Sequence, residues 1–266
     1  MIKNSEVIHK LIERYDYGGA YDLLLDESLE DTDPGHIINS CRYAVNFDFD
    51  RAVKHLNKLS EEMRKHKTIE KTYRHLLGLI RGEPEAIFSE LMENVKIQIV
   101  GEEYIDFLGR VYRFKEAIYK FMFLRTVNSG KKIYFVNDMV LKRNILRVLK
   151  KQYKIYNNST IYGISDFIQR YQKQNEPLVK VDRILSTNKM NELIELRHSS
   201  IIGHGFKGVS EEDIYRIYGN PYHVLDDYED CLEILKLKID KYKYARLNEL
   251  ISRLLIENGL GNSTNE

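Results

Sequence analysis

The stretch EEYIDFLGRVYRFKEAIYKFMFLRTV, residues 102–127, constrains the fold more than any other part of the chain. It holds no proline and sets apolar or aromatic residues at positions 105, 108, 111, 112, 118 and 121. Steps of three and four place them on one stripe of an α-helix, and a helix of this length needs other helices to cover that stripe. The fold class that follows is all-α. Upstream, residues 2–14 and 19–28 read as a helical hairpin, and YDYGGAYDLL at 15–24 is echoed by FDFDRAVKHL at 47–56, an offset of 32 residues. GEPEAIFSEL at 82–91 is a weaker third echo. An aromatic, an acidic N-cap, then alanine and leucine at helical spacing suits stacked helix-hairpin repeats, and equally suits short hairpins that happen to look alike. Asp33, Pro34 and Gly35 read as a turn before the third helix. The expected division is a helical-hairpin bundle over 1–100 and a second helical domain over 101–266, parted at Gly101.

Composition removes several classes of protein. With two cysteines, Cys41 and Cys231, far apart in 266 residues, neither a disulfide framework nor a cysteine-rich zinc motif is expected. The first residues lack the apolar core of a signal peptide, and no stretch approaches the roughly 18 apolar residues of a membrane span. A cytoplasmic protein is the expectation. No P-loop, dinucleotide-binding glycine loop or nucleophile elbow occurs, and neither a cofactor nor a metal site is expected. The acidic run DDYED at 226–230 is compatible with magnesium, but carboxylates near the start of a final long helix are favoured by its dipole alone.

Net charge is only +1, so nucleic acid has to be met by a local patch. The best candidate lies between positions 131 and 154, where eight lysines or arginines face Asp138 alone, a local charge of +7. Lys131, Lys132, Arg143, Arg147, Lys150 and Lys151 are its candidate RNA-binding residues, with Tyr134, Phe135 and Tyr153 interleaved for stacking. A solvated helix face is the alternative.

The candidate site is NELIELRHSSIIGHGFKGVS, 191–210. A helix over 187–204, closed by Gly205, would carry Arg197 and His204 on one face, about 20° from eclipsed and ~10.5 Å apart along the axis. Arginine matches phosphate oxygens with a permanent planar charge, and histidine exchanges a proton near neutrality. Together they suit cleavage of RNA by its own 2′-hydroxyl. Gly203, Gly205 and Gly208 leave room for close approach of backbone or ligand. Spacing alone is weak, since Arg216 and His223 repeat it across Gly219, Asn220 and Pro221, which break the helix.

The wording around Arg197 is more specific. ELRHSSIIGHGF resembles the HEPN motif of CRISPR-associated type III accessory ribonucleases, and the likeness extends to GRVYRFKEAIYKF at 109–121 and RYDYGGAYDLL at 14–24. The resemblance implies a HEPN domain over 101–266 and a metal-independent endoribonuclease acting on single-stranded RNA in antiviral defence. Its catalytic residues would be Arg197 and His204, with His198, Ser199 and Ser200 supporting and His198 standing where asparagine is common. It further implies a homodimer with the two motifs facing each other. Members of that family usually begin with a nucleotide-sensing CARF domain, which these N-terminal residues do not resemble, so a separate sensor is a possible partner. Two alternatives stay open: a non-catalytic helical binding or scaffold protein, and a HEPN toxin with an antitoxin partner, in which Phe206 stands where tyrosine is expected.

Between these landmarks, residues 161–177 read as an interrupted helix capped by Ser165 and stopped by Pro177, and LVKVDRILS at 178–186 fits helix or strand. Ser210 and Asp213 form a capping box for a short helix ending at Tyr218. The tail from 259 to 266 reads as disordered.

Overall fold

The computed structural model describes residues 5–128 and 132–257. It is 73% helical, and among the described residues there are 15 α-helices and no strand. No described helix is long and apolar enough to cross a membrane. The chain forms two compact units, one of residues up to Ile80 together with those from Asp240 onward, the other of residues 81–239.

The first unit contains α1 (Ser5–Glu13), α2 (Tyr17–Asp26), α3 (Asp33–Val45), α4 (Phe49–Leu56), α5 (Glu61–Arg64) and most of α6 (Lys67–Arg81), with the last helix returning to it. The repeated wording has a physical counterpart here. Tyr15 and Phe47 both adopt left-handed backbone, φ 61° and 62°, and the next residue closes the preceding helix, Asp16 N donating to Leu11 O and Asp48 N to Tyr43 O. Each aspartate then caps the following helix, accepting from Gly19 N at 2.9 Å and Arg51 N at 3.2 Å. One short segment thus ends one helix and starts the next. The third echo departs from this: Gly82 has φ +70°, but Glu83 makes no side-chain cap and Pro84 opens the helix.

The second unit contains α7 (Pro84–Val100), α8 (Tyr104–Val127), a 3-10 turn (Asp138–Val140), α9 (Lys142–Tyr153), α10 (Thr160–Tyr171), α11 (Glu176–Leu185), α12 (Asn188–Ser199), α13 (Glu211–Tyr218) and α14 (His223–Ile234). α8 is its axis, packed by α7, α10, α12 and α14. It is buried nearly all round, and Phe107, Phe114, Ile118, Met122 and Phe123 are at most 1% exposed. Phe114 meets Tyr228 edge-on at 4.3 Å, and the Tyr228 hydroxyl donates to Val111 O at 2.6 Å, fastening α14 to the middle of α8.

Several expectations need correction. Gly101 lies inside the second unit, between α7 and α8, because those two helices pack along each other; the division falls at Ile80 and again at Ile239 instead. Residues 161–177 are not one interrupted helix. Ser159, not Ser165, caps α10, and Pro177 sits in the first turn of α11, where its missing N–H costs nothing. Residues 178–185 are accordingly helical. The expected long final helix is two, α14 and α15 (Lys243–Leu255), and α15 belongs to the first unit, where Asn248 receives the Tyr17 hydroxyl at 2.7 Å and donates to Ile12 O. The capping box at Ser210 and Asp213 is present as read. The 259–266 tail and Lys131 lie outside the described residues.

Candidate functional site

α12 is anchored by Met190, Leu193, Ile194 and Leu196, all buried, and packs on α8. It does not reach His204. The helix ends at Ser199, and Ser200 turns to extended backbone, φ −88° and ψ 172°. Ser200 is fully buried and its hydroxyl donates to Arg197 O at 2.8 Å, while the Ser199 hydroxyl donates to Leu196 O. Both hydroxyls are therefore occupied at the helix terminus, and the two serines shape the site through the backbone.

The loop that follows folds back over that terminus. His204 N donates to His198 O at 2.9 Å and Lys207 N to Ser199 O at 3.0 Å, so the last carbonyls of α12 are satisfied by the loop. Such closeness excludes side chains. A Cβ on Gly203 would stand 2.4 Å from Arg197 O, and one on Gly205 would stand 2.0 Å from Ser199 O. Gly208 has open space around it, so only two of the three glycines serve close approach.

This fold-back, rather than helical spacing, brings the ionisable groups together. The His198 and His204 rings lie parallel within 4°, with centroids 6.4 Å apart. Arg197 Nη1 is 3.3 Å from His198 Nδ1. Because a guanidinium only donates, Nδ1 can enter this contact only as the acceptor. His204 is exposed, and Arg197 and His198 are part-exposed. Neither catalytic candidate is sealed in the core.

A fourth member comes from α8 and has no signal in the local wording. The Arg197 guanidinium lies over the Tyr112 ring at 4.6 Å, and the same ring meets His198 edge-on at 6.2 Å. Burial, reinforced by Glu116 and opposed by Arg197, raises the Tyr112 phenol above its ordinary 10. Tyr112 thus presents an un-ionised ring to the cation and holds the guanidinium flat. Arg197 Nε is buried and has no hydrogen-bond partner among the described residues. Phe206 at 93% exposure and Ile201 at 65% flank the cluster.

The basic segment divides. Arg143, Arg147, Lys150 and Lys151 are exposed on α9, whereas Lys132 lies apart, beside Pro84, Phe121 and Tyr134 at a cavity of about 360 Å³. Two of the aromatics expected to stack bases face inward instead: Phe135 meets Phe88 at 5.6 Å, and Tyr153 packs against Phe123, Phe167 and Tyr171. Both rings are half-buried and packed on aromatic neighbours. Tyr156, not singled out in the sequence, is 73% exposed.

Among the described residues no group of three or more histidine, cysteine or carboxylate side chains converges on a point. Within the acidic run, Asp227 pairs with Lys189 at 2.8 Å and accepts from the Tyr218 hydroxyl. A cavity of about 500 Å³ in the first unit, lined by Leu56, Ile69, Tyr73, Arg64 and Arg74, includes none of the candidate residues. No protein-family model, curated protein or solved structure matches this chain.

Proposed function

We propose that this protein is an endoribonuclease of HEPN type that cleaves single-stranded RNA through its 2′-hydroxyl, in the setting of type III CRISPR antiviral defence. The observation that carries the reading is a part-exposed guanidinium in contact with the His198 imidazole at the end of α12, with the His204 ring lying parallel to that of His198. Arg197 holds the scissile phosphate with its Nη edge and stabilises the charge that grows on it. His204, the exposed member, moves the proton: the 2′-oxygen attacks phosphorus, the bond to the 5′-oxygen breaks, and the departing oxygen takes a proton. The products are a cyclic phosphate and a 5′-hydroxyl. His198 and Tyr112 orient the arginine. The basic face of α9 draws in the RNA backbone.

A homodimer is part of this proposal. Phe206 and Ile201 give the rim of the cluster an apolar surface that a second copy would cover.

The deciding experiment incubates the full-length protein with end-labelled single-stranded RNA in the presence of a chelator. Cleavage with cyclic phosphate ends is expected, and it should disappear in Arg197→Ala and His204→Ala proteins that retain the wild-type circular dichroism spectrum. Undiminished cleavage by the His204→Ala protein ends the proposal, as does its abolition by chelation. Growth inhibition on expression, relieved by Arg197→Ala, separates a nuclease from a helical scaffold.

A further inference from the structure

Arg143, Arg147, Lys150 and Lys151 follow one another at steps of four, three and one, so they share a face of α9 over ~12 Å of axis. That face lies opposite Ile145 and Leu149, which are 1% and 0% exposed. None of the four has an acidic partner among the described residues. The stripe continues directly into an unburied ring. Ile155 is 2% exposed and pins the backbone, while its neighbour Tyr156 is 73% exposed, with Lys150 Nζ 5.8 Å from the ring centroid. An exposed aromatic ring beside Lys150, at the end of a stripe of cations, is unlike Tyr153, three residues earlier, whose half-buried ring packs on Phe123, Phe167 and Tyr171.

The route from this stripe to Arg197 runs through packed elements. Gly163 of α10 lies against Leu149 of α9, and α10 packs on α8. Tyr162 is 47% exposed on α10, and α10 packs on the helix that carries Tyr112. Tyr112 in turn underlies Arg197.

We infer that Tyr156 and Tyr162 are stacking platforms on the path of an unpaired RNA strand, whose phosphates are held by the α9 stripe and whose bases are passed toward Arg197. A duplex buries its base faces and has nothing to offer an isolated tyrosine, so the surface selects single strands. The destination of the path rests on the proposed nuclease function; the binding itself does not.

Two measurements test this with the full-length chain. The probe is a 12-nucleotide 2′-fluoro adenine-rich strand, which lacks the attacking hydroxyl and so reports binding whether or not the protein cuts. Tyr156→Ala should weaken its binding about 5- to 100-fold, and Tyr156→Phe should restore it. Replacing Arg143 and Arg147 by glutamine should flatten the dependence of log affinity on log salt by about 0.7 for each residue. Equal binding by wild type and Tyr156→Ala, or equal affinity for the strand and for a duplex of the same sequence, overturns the inference. A protein that binds as described and does not cleave RNA would end the nuclease proposal and leave this one standing.

Discussion

Gly205→Ala is the substitution to which the site should be most sensitive without touching a functional side chain. The new Cβ would lie 2.0 Å from Ser199 O and 2.6 Å from Ser199 C, both backbone atoms at the end of a packed helix. Relief requires the loop to retreat by at least about 1 Å. Retreat stretches the two bonds that tie the loop down, His204 N to His198 O and Lys207 N to Ser199 O. At ~1 kcal/mol each, their loss lowers the local opening energy by about 2 kcal/mol, so amide exchange at His204 and Lys207 should speed up roughly 30-fold. Displacement of His204 from His198 by that distance should cost on the order of 100-fold in cleavage rate. Gly208→Ala is the control, because nothing lies within 4 Å of its added carbon. It should leave exchange and rate unchanged. The buried anchors of α12 remain in both proteins, so thermal melting should shift little. Wild-type exchange at both amides in Gly205→Ala would refute the account of how His204 is placed.

Tyr112→Leu keeps an apolar side chain on α8 but removes the ring under Arg197; cleavage should fall about 10-fold or more, from loss of a partly buried cation–π contact of ~1–2 kcal/mol, while Tyr112→Phe should retain most of the rate. Burial, with Lys58 adding to it, lowers both His36 and His55 below the ordinary 6.5, and His55 Nδ1 is buried with no partner among the described residues. Below 6.5 the unfolded chain takes up protons that the folded one refuses, so stability should be full above that pH and lost as pH falls beneath it. Urea midpoints at pH 7.5 and 5.5 measure this, and the fall should shrink in His55→Phe. Burial also pushes Lys115 down to about 8 from 10.5, against an opposing pull from Asp182; the side chain is 2% exposed, with Nζ 3.3 Å from Asn191 Oδ1. Between those two values the unfolded state binds the extra proton, so stability should rise with pH, by at most about 1.4 kcal/mol per unit. Denaturation at pH 8 and 9.5 checks it, and Lys115→Met should abolish that slope.

The parts of this protein that were legible in its sequence are those governed by neighbours along the chain. The stripe of 102–127 announced α8, since helical periodicity follows from 3.6 residues per turn whatever the helix packs against. Asp16, Asp48 and Ser210 are caps because a short polar side chain reaches backbone two or three residues on, and that too is local. Arg197 and His204 were nameable for the same reason, as residue types in a short wording. The approach of the His204 ring to His198 was not legible. Where α12 stops depends on a buried serine bonding back to Arg197 O and on glycines that let the loop lie against the helix end, and a periodic pattern continues across both.

Tertiary structure alone decided the remainder. Tyr112 comes under Arg197 from a helix distant in sequence; Tyr153 and Phe135 turn inward while Tyr156 stays out; and α15 leaves its neighbours to join the first unit. Side chains of one type are interchangeable in a pattern, and which of them meets water is settled by the elements that arrive to cover them. Local spacing therefore determined α8 and the caps at Asp16, Asp48 and Ser210, whereas the packing of elements remote in sequence determined which charges and rings face the solvent.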